Sequence, residues 1–246
     1  VSPLRPAEAE QLAGAIKAMP LEQRAATVNL IAQAAPDPQS LRAMAGQIAG
    51  KDQALATAFV LAADGNKTTA GRSVTELYLR GAEAIATKQL KGENDREMRA
   101  AATIRGNMAQ AIGDAYFSPQ ARDLYVDAAV KIQAALKAEG AIDSDERAVR
   151  LATGGMVTRN GRPVVKPYGW TDRDFDQWLE STRQGLKSSP GEFIAGGARL
   201  TGEQLAAALP AARMAAVGAG QYVLVGPGGQ IVRRANGDPL VLDTQR

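Results

Sequence analysis

"GMVTRNGRPVVKPYGW", residues 155–170, is where the chain changes character. Two short β-prone runs, 156–158 and 162–165, flank Asn160-Gly161. Asn-Gly readily takes positive φ at both central turn positions, which a type I′ hairpin requires. Pro167-Tyr168-Gly169 then reads as a turn leading out. A hairpin here sets a boundary: residues 1–153 as a helical bundle or array, residues 154–246 as a small α+β module. The expected fold class is mainly α, an Ala-rich multi-helix bundle followed by that module, which is expected to fold on its own.

Upstream, the text is punctuated as helices. Pro6 opens one, with Leu12, Ile16 and Met19 on its apolar side, and Pro20 closes it. Residues 21–35 form the next, carrying Val28, Leu30 and Ile31. Asp37 before Pro38 is an N-cap followed by proline at the first helical position. Residues 52–63 make another helix and 64–66 a loop. Over 70–91, Val74, Leu77, Tyr78 and Ile85 recur on one helical face. Asn94 and Glu97 have capping-box spacing for a helix over 95–112, and Asp143 with Glu146 opens the last short one. Between them Ser118-Pro119 starts a helix with Leu124, Ala128, Ile132 and Leu136 at four-residue spacing, capped by Gly140.

Downstream, Thr171 with Asp174 caps a helix over 172–183, with Trp170 and Phe175 placed as a hydrophobic staple. Residues 192–200 read as extended around Gly196-Gly197. Thr201 with Gln204 caps a helix to Leu209, and Pro210 starts another to about Val217. Residues 221–225 and 230–234 flank Gly226 to Gly229 as a second hairpin, and 236–238 form a further turn.

Composition removes whole classes of chemistry. There is no histidine and no cysteine in the 246 residues. That excludes a Ser-His-Asp triad, His- or Cys-ligated zinc, a cysteine nucleophile and disulfides. Aromatics are only 4 %, too few for a base-stacking platform. The net charge of +3 is spread rather than clustered, so it permits contact with DNA without marking a site. No run of 18 apolar residues exists, so no membrane span is expected. The start lacks both a signal-peptide pattern and a methionine, so a processed product or part of a longer polypeptide is expected, with removal of an initiator methionine before Val1 as the alternative.

Two constellations remain as candidate sites. Asp172, Asp176 and Glu180 lie at four-residue spacing on one helix face. Such carboxylates can do acid-base work or bind a divalent cation, but they are also what a solvated face with first-turn aspartates looks like. Arg233 and Arg234 are candidate nucleic-acid contacts, or else sheet-edge charges that discourage aggregation. Gly226 to Gly229 lacks the Lys-Ser or Lys-Thr of a phosphate loop and reads as a turn. No cofactor or metal is expected.

Residues 154 onward carry a resemblance. Thr153-Gly154-Gly155, Asn160-Gly161, Pro167-Tyr168-Gly169-Trp170 followed by Phe175, Leu209-Pro210, Gly218 to Tyr222 and Asn236-Gly237-Asp238-Pro239-Leu240 together resemble a module of tailed-bacteriophage internal virion or ejection proteins. These are often long polypeptides that also carry a lytic transglycosylase domain. Glu180-Ser181 echoes a dipeptide of those enzymes, but their surrounding motifs are missing, so no catalytic residue is carried over. The resemblance implies a non-enzymatic structural component of the virion, in the capsid interior or tail, with delivery to the host envelope as a further option. Its implied partners are portal, tail or further ejection proteins, in multiple copies and near the genomic DNA. The alternatives are a peptidoglycan-active domain using Glu180 and a DNA-contacting accessory module.

Overall fold

The computed structural model describes residues 4–65, 68–69, 72–90, 95–142 and 144–244, with side chains for 4–65, 72–87, 102–142 and 144–244. It is 59 % helical, which makes the chain mainly α, with small antiparallel sheets toward the C-terminus. Two compact units are present. One comprises residues 1–110 and 123–152, the other residues 111–122 and 153–246. The second unit's main stretch begins at the expected boundary. It also takes 111–122, which the sequence pattern places in the helical body.

In the first unit, α1 (Pro6–Ala18), α2 (Leu21–Ala34), α3 (Pro38–Ile48) and α4 (Gln53–Ala63) follow the proline and aspartate punctuation closely. Asp37 accepts the Ser40 N–H and Asp52 accepts the Leu55 N–H, so both caps satisfy a first-turn donor that has no partner in its helix. A two-residue ladder, β1 (Thr68–Thr69) and β2 (Arg72–Ser73), precedes α5 (Val74–Leu90), and no sequence signal announces it. Next come α6 (Asp95–Ile112), α7 (Pro119–Ala138) and α8 (Ser144–Thr153). The Asn94–Glu97 box and the Asp143 cap fall outside the described residues.

Helix α4 is the centre of this unit. Eight of its eleven residues are buried, and it packs on α2, α3 and α5. Leu30 of α2 is 65 % exposed, a correction to its placing with Val28 and Ile31. The α2 seam is set by Ala25 and Val28 instead. Small residues set the spacing elsewhere. At Gly81 on α5, an added Cβ would lie 1.7 Å from the Lys131 carbonyl oxygen on α7. Glycine lets these two backbones approach closer than any side chain allows.

In the second unit, β3 (Met156–Arg159) pairs with β4 (Arg162–Val165) through a turn with φ of 50° at Asn160 and 71° at Gly161. The helix α9 (Asp172–Lys187) starts with the Thr171–Asp174 capping box and runs one turn beyond Arg183. A further hairpin, β5 (Glu192–Ala195) with β6 (Ala198–Thr201), turns on Gly196 and Gly197, both at positive φ. Then α10 (Gly202–Ala208) leads into a 3₁₀ turn at Leu209–Ala211.

Two expectations fail here. Residues after Pro210 are not a helix but the strand β7 (Arg213–Gly218), paired with β8 (Gln221–Val225). Met214, Ala215 and Ala216 are all buried, and burial on both faces outweighs the helix preference of alanine. The expected hairpin of 221–225 with 230–234 begins and then splits. Val225 bridges Ile231, but β9 (Arg233–Arg234) leaves to pair with β5, and β8 takes β10 (Val241–Asp243) instead. The sheets are therefore β10-β8-β7 and β6-β5-β9. Residues 115–117 line the outer edge of β7. The Ala216 N–H donates to the Ala115 carbonyl, and the Phe117 N–H donates to the Ala216 carbonyl.

Candidate functional site

The carboxylate stripe of α9 is divided among separate partners. Asp172 pairs with Lys166 just beyond β4, and Asp176 pairs with Arg159 at the end of β3. Glu180 accepts from Gln184 at 2.7 Å and meets Arg183 at 3.3 Å. The hydrogen bond from Gln184, helped by Arg183, holds the Glu180 carboxyl below its ordinary range. A general acid working near neutral pH needs the opposite shift. Asp174 is likewise held low, first by the Thr171 backbone N–H and then by the Thr171 hydroxyl. Among the described residues, no group of three acidic side chains is placed to hold a metal ion. Asp172 and Asp176 tie the hairpin region to the helix, while Glu180 pairs within the helix itself.

The residues behind the stripe are more closely joined. Phe175 is fully buried against Trp178 and Tyr222, with ring centroids at 5.3 and 5.8 Å. Trp170 meets Trp178 edge-on at 6.3 Å, so Trp170 and Phe175 join one four-ring cluster through Trp178. Tyr222 donates its hydroxyl to the Val165 carbonyl at 2.7 Å, and burial pushes that phenol far above its ordinary value. Asn160, at the tip of the first hairpin, donates to the Pro210 carbonyl at 2.7 Å. At Gly154, φ is +90°, and a Cβ would sit 2.6 Å from the Lys166 carbonyl oxygen. At Asn236 the side chain accepts the Asp238 N–H, and the Asp238 carbonyl accepts the Arg234 N–H. The short motifs scattered over 153–240 are thus pieces of one framework. No family model, curated protein or solved structure matches the chain.

The remaining sequence candidates lie at the edge of this framework. Arg233 and Arg234 are both exposed on β9, and Arg233 donates to the Gly237 carbonyl at 2.8 Å. The glycines at 226 and 228 receive a side chain. A Cβ on either would come within 2.6 Å of the Gln230 amide, and Gly196 is filled from the same amide at 2.7 Å. The Gln230 amide fills the space beside these glycines, so a side chain there would have to displace it.

Sequence reasoning missed two buried polar clusters in the first unit. Asp64, at the C-terminus of α4, is 8 % exposed and pairs with Arg42 of α3 at 2.5 Å while accepting from the Tyr125 hydroxyl. Burial raises its carboxyl above 3.8, and Arg42 and Tyr125 only partly offset that. Lys131 reaches the Tyr78 hydroxyl at 3.1 Å and Asp127 at 2.7 Å, with its ammonium over the Tyr78 ring. Tyr78 is fully buried and its hydroxyl accepts from Lys131, and burial raises its phenol, so it stays neutral rather than acting as an activated base. Asp64 in Asp-Gly-Asn resembles an ordinary loop aspartate, and only its burial distinguishes it. The second unit holds one more missed residue, Asp114, which pairs with Arg162 at 2.7 Å and Arg213 at 3.0 Å.

Proposed function

We propose that this chain is a structural component of a bacteriophage particle, an internal virion or ejection protein acting near the portal or tail during genome delivery, with no catalytic role in this segment. The observation that carries the reading is the convergence of the resemblance-bearing residues. Asn160 bonds to Pro210, Phe175 packs on Tyr222, and Tyr222 bonds back to the first hairpin at Val165. What the resemblance picks out is therefore the frame of a compact unit, as expected where the common property is an architecture. Asp172 and Asp176 of α9 add support, since they serve as ion-pair partners for Lys166 and Arg159 of the hairpin region. Its partners on this reading are other virion proteins, with the chain present in several copies close to packaged DNA. Among the described residues no helix is long and apolar enough to cross a membrane.

Peptide mapping by mass spectrometry of gradient-purified particles from the source phage tests the proposal. Peptides of this chain in intact particles, at a stoichiometry of several copies, are the expected result. Clean particles in which the other virion proteins are seen and this chain is absent would overturn it.

A further inference from the structure

Arg233 and Arg234 adjoin in sequence but do not share a face, because successive residues of a strand point to opposite sides. Arg233 and Arg199 both lie opposite Ile194, whereas Arg234 and Leu200 both lie opposite Phe193. Phe193 is 2 % exposed, so at β5 its side of the β6-β5-β9 sheet faces the core, while Arg234 on that side lies exposed at the edge strand β9. On the other side one row reads Arg199, Ile194, Arg233, with Ile194 half-buried between the two arginines. Both arginines are exposed, and their strands are separated by about 10 Å, two strand spacings. Each guanidinium is steadied by its own neighbour: Arg199 by Glu192 at 3.1 Å, Arg233 by the Gly237 carbonyl at 2.8 Å. The carbonyl orients Arg233 without neutralising it. The net charge of the unit as a whole has the same sign. The second unit holds 12 basic and 9 acidic residues, whereas the first holds 17 of each. All of the net +3 therefore lies on the unit that bears this row.

We propose that this face of the β6-β5-β9 sheet, through Arg199 and Arg233, docks the phosphate backbone of nucleic acid without reading its sequence. Two cations held apart on one sheet face suit successive sites on an extended polyanion better than one small phosphate, which needs donors that converge. Phosphate contacts of this kind position a chain and carry no base information. Glu192 partly masks Arg199 and tunes the face downward. The proposal does not rest on the particle reading, since a protein absent from virions could still present this row.

The test is a salt titration of full-length protein binding to a short mixed-sequence DNA duplex, followed by fluorescence anisotropy. Removing both charges in an R199A/R233A variant is expected to reduce the slope of log K against log salt by about 2, near 0.9 for each phosphate no longer neutralised. E192Q is expected to bind more tightly than the parent, and R234A to match the parent. Circular dichroism confirms that each exposed substitution leaves the fold intact. No duplex binding by the parent would overturn the proposal, as would an unchanged slope in the double variant or an equal reduction in R234A. Retention of an anionic polysaccharide with no duplex binding would overturn it too, and would point to a different polyanion.

Discussion

Asp64 shows how a single residue can be misread from sequence and what its true setting predicts. Its carboxyl is buried between Arg42 and Tyr125, and burial raises its pKa above the ordinary 3.8. The folded state therefore binds this proton more tightly than the unfolded chain. Stability from the neutral form is fully present below pH 3.8 and is lost as pH rises through the raised native value. Replacing Asp64 with asparagine removes that titration and keeps an acceptor for the Tyr125 hydroxyl. The stability of wild type minus that of D64N, from denaturant melts, is expected to fall as pH rises through this window. A difference that instead grew with pH would mean that Arg42 dominates the site. The caps at Asp37, Thr171 and Thr201 were legible because an N-cap is a local arrangement spelled out within four residues. Asp64, Asp114 and Tyr222 were not, because their partners lie 22 to 99 residues away along the chain.

At the scale of elements, α5 and α7 approach tightly where Gly81 meets the Lys131 backbone. A methyl group on Gly81 would lie inside the Lys131 carbonyl oxygen, and the neighbour it meets is backbone rather than a side chain that could swing away. Gly81→Ala is expected to cost about 3 kcal/mol or more, beyond the usual range for an overpacked core, as read from the denaturant midpoint. Gly106→Ala on α6, where a Cβ meets nothing within 4 Å, is the matched control and should be neutral or slightly stabilising. Helix boundaries in the first unit followed from proline and aspartate punctuation. The first hairpin followed from Asn-Gly, and the observed φ values at 160 and 161 are those of the expected turn. The strand β7 was hidden because Ala-Ala-Arg-Met-Ala-Ala favours helix locally. Strand β9 was misassigned because turn chemistry specifies that a chain reverses, not which strand it then joins. The choice of β5 as partner for β9 is made by tertiary packing around Phe193.

At the scale of the whole molecule, the units are not successive in sequence. Residues 111–122 belong with 153–246, and they supply the edge partner of β7 together with Asp114 for Arg162 and Arg213. A fragment starting at Thr153 would leave that β7 edge unpaired, and such edges template aggregation. It is expected to self-associate on size exclusion or to melt below the second unit of the intact chain. Supplying 111–122 as a peptide should raise its melting temperature. A monomeric fragment as stable without the peptide as with it would show that the edge segment is dispensable. The change from helical to hairpin text places the main boundary, but it says nothing of the earlier segment. Residues 111–122 are the end of one helix, a short connection and the start of the next, and nothing local in them announces a strand-like role.

The same interleaving sets an order of events on the ribosome. Residues 111–122 are synthesised 91 positions before β7 begins at Arg213. At translation speeds of about 5–20 residues per second, the segment waits roughly 5–20 s for its partner strand. During that wait Phe117 and its neighbours are solvent-facing backbone and side chain with no ladder to join. Slow synthesis would lengthen the exposure, and a circular permutant beginning near residue 111 would leave it unchanged. Moving 111–122 to directly precede 153 would shorten it. Yield of soluble protein at different expression temperatures is thus tied to one short stretch, far from either end of the chain.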